Sequence, residues 1–247
     1  MKVWKYIKKK VGEGPFHFTL LDPDREKQTI EGILKISQTA FEAGTDAILL
    51  GGSTSIEKEL LDSIILSIKD LKTGLPIILF PSSVGYLSEY ADAVLFMSLL
   101  NSTDVRFVIR EPAKGVLIIE KMGIEPISMG YIIIEPGMTV GKIGKAELIR
   151  KDDIPSAVKY GIVAQNWGMK MVYLEAGSGS PISVPNDMIK AVKSKLTRTV
   201  LIVGGGITDG ATAIEKIRAG ANAIVTGTIA ERDIKRLKEI ISAIKQV

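Results

Sequence analysis

Eight short runs of apolar and β-branched residues recur along this chain, separated by segments in which apolar residues return at helical spacing. The first run is Phe16 to Leu21, and the others begin at Asp46, Pro76, Asp92, Ile127, Met171, Val200 and Ala223. Buried strands that alternate with amphipathic helices are typical of parallel sheets. Eight such units in 247 residues match a TIM (β/α)8 barrel, with a doubly wound sheet as the alternative. We predict one α/β domain over residues 1–247, a TIM barrel.

An internal repeat supports closure of the barrel. AGTDAILLGGS, from Ala43, resembles AGANAIVTGT, from Ala219, with Asp46 and Asn222 in register, and a weaker third copy begins at Trp167. Each copy predicts a helix end, a turn, a strand and a glycine turn. The alternative is convergence, since a helix often ends in Ala-Gly before a buried strand.

One interval is too short for the pattern. Pro81 ends the third predicted strand and Ala93 begins the fourth, which leaves too few residues for a full barrel helix with its loops. We therefore predict a shortened or missing helix after strand 3 and a side slot that admits a long apolar chain. Alternatively, a neighbouring element or subunit covers the gap. The predicted lining is Val84, Tyr86, Leu87, Leu95, Phe96 and Met97.

The side-chain inventory excludes several chemistries. The chain has no Cys and one His, His17, so disulfides, thiolate zinc sites, cysteine nucleophiles and multi-histidine metal sites are impossible. No GxSxG elbow accompanies His17, which argues against a serine hydrolase. We interpret His17 as a hydrogen-bonded strand histidine, and any metal must be bound by oxygen atoms.

The charge of the chain is mild. With 32 basic against 28 acidic residues the net charge is +4 and is spread along the chain, so nucleic acid is not an expected partner. Basic residues at the N-terminus and in the last helix fit a solvated face or a contact with anionic lipid headgroups. No signal peptide and no run of about 18 apolar residues is present. We therefore expect a cytoplasmic protein.

Three glycine turns follow predicted strands in the last third of the chain. They are YLEAGSG at Tyr173 to Gly179, VGGGI at Val203 to Ile207, and TGT at Thr226 to Thr228. Glycine lets backbone N–H groups approach an anion without a Cβ in the way, and TIM barrels often hold phosphate after strands seven and eight. The turns predict a phosphate-binding site.

Glu175 is the candidate general base. Alternation along strand six puts Tyr173, Glu175 and Gly177 on one side, so the carboxylate points inward beside the phosphate turn. The alternative is a structural glutamate paired with Lys142 or Lys170. Tyr173 either donates a hydrogen bond to substrate or fills the core.

Asp22 and Ser53 are candidate magnesium ligands. Asp22 follows the first strand and Ser53 the second, and Mg²⁺ takes one or two carboxylates together with phosphate oxygens. The alternative for Asp22 is a cap that opens the next helix. The Gly51 to Ser53 turn would place a second anion-binding region opposite strand six, as a transferase with two phosphorylated substrates needs.

These motifs together resemble the geranylgeranylglyceryl phosphate synthase family over nearly the whole chain. LLDPD at Leu20 to Asp24 and the Gly51 turn match beside the three C-terminal turns. The family implies a TIM-barrel prenyltransferase that uses magnesium to join sn-glycerol 1-phosphate to geranylgeranyl diphosphate in archaeal ether-lipid synthesis. Related proteins form dimers or hexamers, which implies a homo-oligomer.

The resemblance also implies roles for individual residues. Glu175 would take the proton of the C3 hydroxyl, Asp22 and Ser53 would bind Mg²⁺, and the slot after strand 3 would take the prenyl chain. The implied glycerol 1-phosphate site comprises Tyr173, Leu174, Glu175, Ala176, Gly177, Ser178, Gly179, Gly204, Gly205, Thr226 and Gly227.

Three alternatives stay open. One branch of the family, with bacterial heptaprenylglyceryl phosphate synthases, has a lysine where this chain has Leu20. Another phosphate-binding barrel, an isomerase or lyase, would need a second acid or base, for which Arg106, Arg110 and Glu111 are candidates. A non-catalytic phosphate-ligand sensor on a barrel is the third.

Overall fold

The computed structural model describes residues 2–24, 28–52 and 56–247, and in it eight parallel strands close into a barrel in chain order. Each strand pairs in parallel with the next, and β8 pairs with β1. The predicted TIM barrel is confirmed. The strands are β1 Phe16–Leu21, β2 Ala47–Leu50, β3 Ile77–Leu79, β4 Ala93–Leu99, β5 Glu125–Ile133, β6 Met171–Glu175, β7 Val200–Gly204 and β8 Ala223–Thr226.

Helices surround the barrel and close its amino end. They are α1 Val3–Glu13, α2 Ile30–Ala43, α3 Lys58–Asp70, α4 Glu111–Met122, α5 Met138–Ile143, α6 Ile154–Asn166, α7 Asn186–Lys195, α8 Gly210–Arg218, α9 Thr228–Arg232 and α10 Ile234–Ile244. A π-helical turn, Arg106–Arg110, leads into α4. Among the described residues, no helix combines the length and apolar character that crossing a bilayer requires.

Alternate residues of each strand serve two different cores. In β6, Met171 and Tyr173 join the cluster inside the barrel, whereas Val172 and Leu174 join a cluster between sheet and helices. Both faces of the sheet are therefore buried, which explains why the strands are nearly continuous apolar runs. Helix α1 seals the amino end of the barrel, because Val3 and Ile7 belong to the inner cluster.

The connection between β3 and β4 contains only a short 3₁₀ turn, Val84–Tyr86. The predicted shortening or absence of the helix after strand 3 is confirmed. Helix α4 partly occupies the free space, since Gly115 lies against Val84 and Leu87. Beside the gap, Phe96 and Met97 of β4 are partly exposed, whereas the residues of β3 stay buried.

The internal repeat corresponds to a structural unit at the amino end of the strands. Asp46 accepts a hydrogen bond from the N–H of His17 in β1, and Asn222 accepts one from the N–H of Leu201 in β7. A lysine, Lys245 or Lys193, donates to each of these acceptors. Asp46 and Asn222, which occupy the same position in the repeat, therefore have the same structural role. Each connects one strand to the next and to a lysine at a neighbouring helix.

Candidate active site

Glu175 ends β6 inside the barrel mouth and is buried. Its Oε1 atom accepts a 2.6 Å hydrogen bond from the N–H of Gly177. Burial raises the pKa of this carboxyl above its ordinary 4.5, while hydrogen bonding from Tyr173, Gly177 and Tyr131 lowers it in part. A carboxylate that is desolvated yet oriented by donors suits proton abstraction.

Two tyrosines stand directly beneath this carboxylate. Tyr131 of β5 and Tyr173 of β6 are register partners, and their rings meet edge to face at 5.1 Å. Burial, followed by the charge of Glu175, raises the pKa of both phenols well above 10. Both hydroxyls therefore keep their protons and hold the glutamate in one orientation. Tyr131 escaped the sequence analysis, although its partner Tyr173 was a candidate.

The alternative of a structural ion pair for Glu175 receives no support from the lysines it named. Lys170 donates to the carbonyl of Pro126 and lies over the ring of Trp4 at 5.6 Å. Lys142 is in the last turn of α5 and lines neither cavity described below.

The glycine turn after β7 is shaped by two close approaches. A Cβ on Gly204 would collide with the hydroxyl of Tyr173. Gly205 has a φ of +79°, and its Cβ would collide with Oε1 of Glu175 and the N–H of Gly177. Larger residues at these positions would displace Tyr173 or Glu175, so packing requires glycine at both positions and backbone conformation favours it at Gly205 as well.

The three glycine turns enclose a small cavity of about 130 Å³. Its walls are rich in glycine, which leaves main-chain polar atoms open to a ligand, and in side-chain hydroxyl groups. A hydrogen bond of 2.7 Å between the hydroxyls of Ser178 and Thr228 joins the turn after β6 to the turn after β8. The described lining includes Tyr173, Glu175, Ser178, Gly179, Gly205, Gly206, Thr226, Gly227 and Thr228.

A second cavity of about 740 Å³ extends from the same place toward the gap after β3. Of the predicted slot residues, five line it and Tyr86 does not, because the Tyr86 ring is buried in the core beside α3. The five are Val84, Leu87, Leu95, Phe96 and Met97, and Phe107, Pro112 and Ile119 add an apolar wall on the side of α4.

The two cavities share a set of lining residues at their junction. These are Leu20, Glu175, Ser178, Gly179, Gly227, Thr228 and Arg232. The candidate base is thus the only carboxylate among the shared residues of the described chain, and it stands where contents of both cavities would meet.

Several predicted ligand residues do not reach the small cavity. Leu174 and Ala176 point into the layer between sheet and helices. The N–H of Ala176 donates to the carbonyl of Gly204, and its carbonyl accepts from the N–H of Gly137, so the main chain of Ala176 is already hydrogen-bonded. Alternation turns both side chains away from the barrel mouth, so their predicted role in binding stays a prediction that the side chains do not support. Gly177 and Gly204 shape the base instead of lining the cavity.

Thr226 lines the small cavity, but its hydroxyl is hydrogen-bonded elsewhere. The side chain bonds the Nε2 atom of His17 at 2.9 Å on the outer face of the sheet. The interpretation of His17 as a satisfied, buried histidine is confirmed.

Asp22 lines the large cavity, next to Gly52 and the hydroxyl of Tyr86. Its Oδ1 accepts a hydrogen bond of 3.3 Å from the N–H of Asp24, whereas α2 is capped by Thr29. The alternative that Asp22 caps the next helix is therefore wrong. Ser53, the second predicted metal ligand, lies outside the described residues.

The turn of Gly51 and Gly52 also lines the large cavity, on the side of β2. A Cβ on Gly52 would collide with Oδ1 of Asp22, so this glycine leaves room for a charged oxygen at the cavity wall. A hard oxygen donor in this position fits Mg²⁺, which prefers carboxylate and phosphate oxygens.

The sequence analysis missed Arg232. Among the described residues that line the two cavities, the carboxylates are Asp22, Glu111, Glu175 and Glu231, and the one cation is Arg232. Of the residues considered for an isomerase or lyase, Glu111 lines the large cavity and pairs with Arg106 at 2.8 Å. Arg232 follows the TGT turn closely in sequence, and this proximity was the available signal.

Comparison with known proteins identifies extensive similarity. The model of the PcrB family matches residues 5–247. The geranylgeranylglyceryl phosphate synthase of Metallosphaera sedula is 44% identical over 247 residues, covering 100% of this chain and 96% of that protein. The enzyme of the same name from Pyrococcus horikoshii is 48% identical over 238 residues, covering 96% of this chain and 92% of that protein.

A solved structure agrees in fold as well. The (S)-3-O-geranylgeranylglyceryl phosphate synthase of Thermoplasma acidophilum, in complex with its substrate sn-glycerol 1-phosphate, superposes with a TM-score of 0.95 at 42% identity. The match covers 100% of both chains.

Proposed function

The chain belongs to the PcrB family, and from this membership we propose that it is a prenyltransferase of archaeal ether-lipid synthesis. It joins the C3 hydroxyl of sn-glycerol 1-phosphate to geranylgeranyl diphosphate and releases diphosphate. The observation that carries this proposal is the position of Glu175, at the junction of a small cavity rich in glycine turns and a large apolar one.

The small cavity is the proposed place for glycerol 1-phosphate. Its backbone N–H groups, in the turns after β6, β7 and β8, suit a phosphate dianion. Tyr173, Ser178, Gly179, Gly205, Thr226 and Gly227 line this cavity and remain the proposed ligand residues. The bound complex of the Thermoplasma acidophilum relative supports the choice of ligand.

The large cavity is the proposed place for the prenyl chain. Burial of each CH₂ group there contributes about 0.8 kcal/mol, so a long isoprenoid gains affinity from an apolar wall. The missing helix after β3 then has a purpose, because it opens the barrel side to a chain too long for the barrel mouth.

The reaction needs one proton transfer and one displacement. The Glu175 carboxylate accepts the proton of the C3 hydroxyl, and the C3 oxygen forms a bond to C1 of the prenyl group. The bond between C1 and the diphosphate oxygen breaks, and its electron pair leaves with the diphosphate. Tyr131 and Tyr173 hydrogen-bond the carboxylate and keep it aimed at the hydroxyl.

Magnesium is the proposed cofactor. Asp22 would hold it at the wall of the large cavity, with Ser53 as the second predicted ligand. When bound there, the ion would offset the charge that grows on the leaving diphosphate.

The deciding experiment is incubation of the purified chain with labelled sn-glycerol 1-phosphate, magnesium chloride and prenyl diphosphates of graded length. Transfer of label into an organic phase that is greatest with the C20 donor supports the proposal, and a maximum at C35 indicates a heptaprenylglyceryl phosphate synthase. Glu175→Gln is the control, and its turnover should fall about 10²- to 10⁴-fold, the usual contribution of a general base. Absence of transfer with every donor would refute the proposed reaction.

We also propose a homo-oligomer that works in the cytoplasm at a membrane surface. The support is a set of exposed apolar residues on α4 and in the segment before it, of which Leu117 is 72% exposed. Val116, Leu117 and Ile118 are consecutive, and several exposed apolar residues close in sequence indicate a contact more strongly than an isolated one does. The group comprises Val105, Ile109, Val116, Leu117 and Ile118. Light scattering of Leu117→Lys tests the subunit contact, and flotation with lipid vesicles tests the membrane contact.

A further inference from the structure

His17 is a fully buried polar residue that the proposed reaction does not use. Its imidazole lies between two threonines on the outer face of the barrel sheet. Nδ1 is 2.8 Å from Oγ1 of Thr45, and Nε2 is 2.9 Å from Oγ1 of Thr226. Burial lowers the pKa of the ring to about 3, so at neutral pH it is uncharged and offers one donor and one acceptor to these hydroxyls.

Thr226 occupies a special place in the barrel. It is the last residue of β8, and the next residue, Gly227, lines both cavities. The pairing of β8 with β7 ends at Val225, so Thr226 has a register partner only on the β1 side, where it faces Thr19. Strand β8 ends at Thr226, where the glycine turn proposed to bind phosphate begins. The hydrogen bond between the Thr226 side chain and His17 therefore holds this end of the strand in addition to its pairing with β1.

The attachment point is itself held firmly. The N–H of His17 donates to the Asp46 carboxylate at 2.9 Å, and the carbonyl of His17 accepts from the N–H of Asp46 at 2.8 Å. Lys245, directly after α10, and Lys10 of α1 pair with the same carboxylate. His17 thus connects the Asp46 ion pairs at the amino end of the sheet to Thr226, which precedes the Gly227 turn at the carboxyl end.

We propose that His17 is a positioning residue for glycerol phosphate binding, acting through the Thr226 side chain on the Gly227 turn. This inference rests on the proposed function. Backbone donors bind an anion tightly only when they are already in place, and small displacements are costly. The Thr226 hydroxyl therefore serves the ligand without touching it, by fixing the peptide that follows.

The experiment is calorimetric titration of the chain with sn-glycerol 1-phosphate in the absence of prenyl donor. Thr226→Val keeps the side-chain shape and removes the bond, and its affinity should fall about tenfold, as expected when a hydrogen bond worth about 1.4 kcal/mol is lost. His17→Leu should have the same effect. The double variant should be no weaker than either single variant, because both remove one interaction.

Two further variants separate positioning from general stability. His17→Gln can still bond the Thr226 hydroxyl and should bind within threefold of the wild type. Thr45→Val is the matched control, since Thr45 is equally buried and bonds the other ring nitrogen, away from the turn. It should lower the melting temperature but leave the affinity unchanged.

The outcomes distinguish the two claims. A wild-type chain that binds no sn-glycerol 1-phosphate would overturn the proposed function and this inference with it. If the wild type binds and Thr226→Val binds equally well, the positioning role alone is refuted. The same holds if Thr45→Val weakens binding as much as Thr226→Val. If His17→Leu does not fold, Thr226→Val and His17→Gln still decide the question.

Discussion

The Oε1 atom of Glu175 accepts a hydrogen bond of 2.6 Å from the backbone N–H of Gly177, two residues further along the same turn. The turn that contributes Ser178 and Gly179 to the small cavity therefore also orients the candidate base. The proposed phosphate site and the carboxylate of the candidate base therefore share one short segment. This arrangement explains why the candidate base and the proposed phosphate site occur together in a single sequence motif.

The first prediction concerns the pH dependence of turnover. Because burial raises the pKa of Glu175 above 4.5, the carboxyl stays protonated to a higher pH than an ordinary glutamate. A protonated carboxyl cannot accept the substrate proton, so kcat should fall as the pH decreases through a value above 4.5. The measurement is kcat from neutral to acid pH, with circular dichroism at each pH to verify folding. An acid limb at or below 4.5 would contradict the assignment.

The second prediction concerns Arg232. Arg232→Gln should raise KM for the phosphorylated substrates about five- to tenfold, as expected for loss of a solvent-exposed, charge-assisted hydrogen bond. Added salt should reduce the difference, since the site is exposed. Arg236→Gln is the matched control, because Arg236 is also exposed but pairs with Asp233 and lines neither cavity. Equal effects of both variants would refute a specific role for Arg232.

The third prediction concerns Gly205. Gly205→Ala places a Cβ against Glu175 and should abolish most turnover, while the positive φ adds about 1–2 kcal/mol of strain. Gly168→Ala is the control, since its φ of +76° is nearly the same but its Cβ would meet open space. Both variants should lose stability in thermal unfolding, and only Gly205→Ala should lose kcat/KM. Retained activity would show that the turn can rearrange.

The fourth prediction concerns Asp22. Asp22→Asn should shift the magnesium titration of activity to higher concentration by at least about tenfold, a loss typical even of outer-shell partners of a metal. Asp24→Asn is the control, because Asp24 is two residues away and does not line the large cavity. An unaltered titration for Asp22→Asn would remove this residue from the proposed metal site.

The fifth prediction concerns acid stability. Burial, with a smaller effect of the Lys245 charge, lowers the pKa of His17 from 6.5 in the unfolded chain to about 3 in the fold. Between pH 6.5 and about 3, His17 is therefore protonated in the unfolded chain but not in the folded one. The contribution of neutral His17 to the free energy of unfolding is fully present above pH 6.5 and is lost as the pH falls toward 3. The loss is about 1.4 kcal/mol per pH unit within that window. Urea unfolding of wild type and His17→Gln should show a difference that shrinks as the pH decreases.

Periodicity predicted the barrel because the strand pattern is local. Two residues per repeat in β6 put Tyr173 and Glu175 inward, and the structure agrees. The same alternation turns the side chains of Leu174 and Ala176 away from the barrel interior, although the prediction treated the motif as a continuous segment and included both residues. Tyr86 illustrates a different limit, because the direction of a side chain in a short turn depends on the helices packed around it.

The sequence by itself determined the number of strands, the absence of a full helix after β3, the inward direction of the Glu175 carboxylate and the glycine turns. Each of these follows from short-range spacing and from the steric freedom of glycine. Only the tertiary structure decided which side chains meet across distant segments. The bond between His17 and Thr226 spans 209 residues, and barrel closure brings Arg232 and Leu20 to line the same two cavities. Such contacts depend on register and packing of the whole barrel, which no local pattern in the sequence encodes.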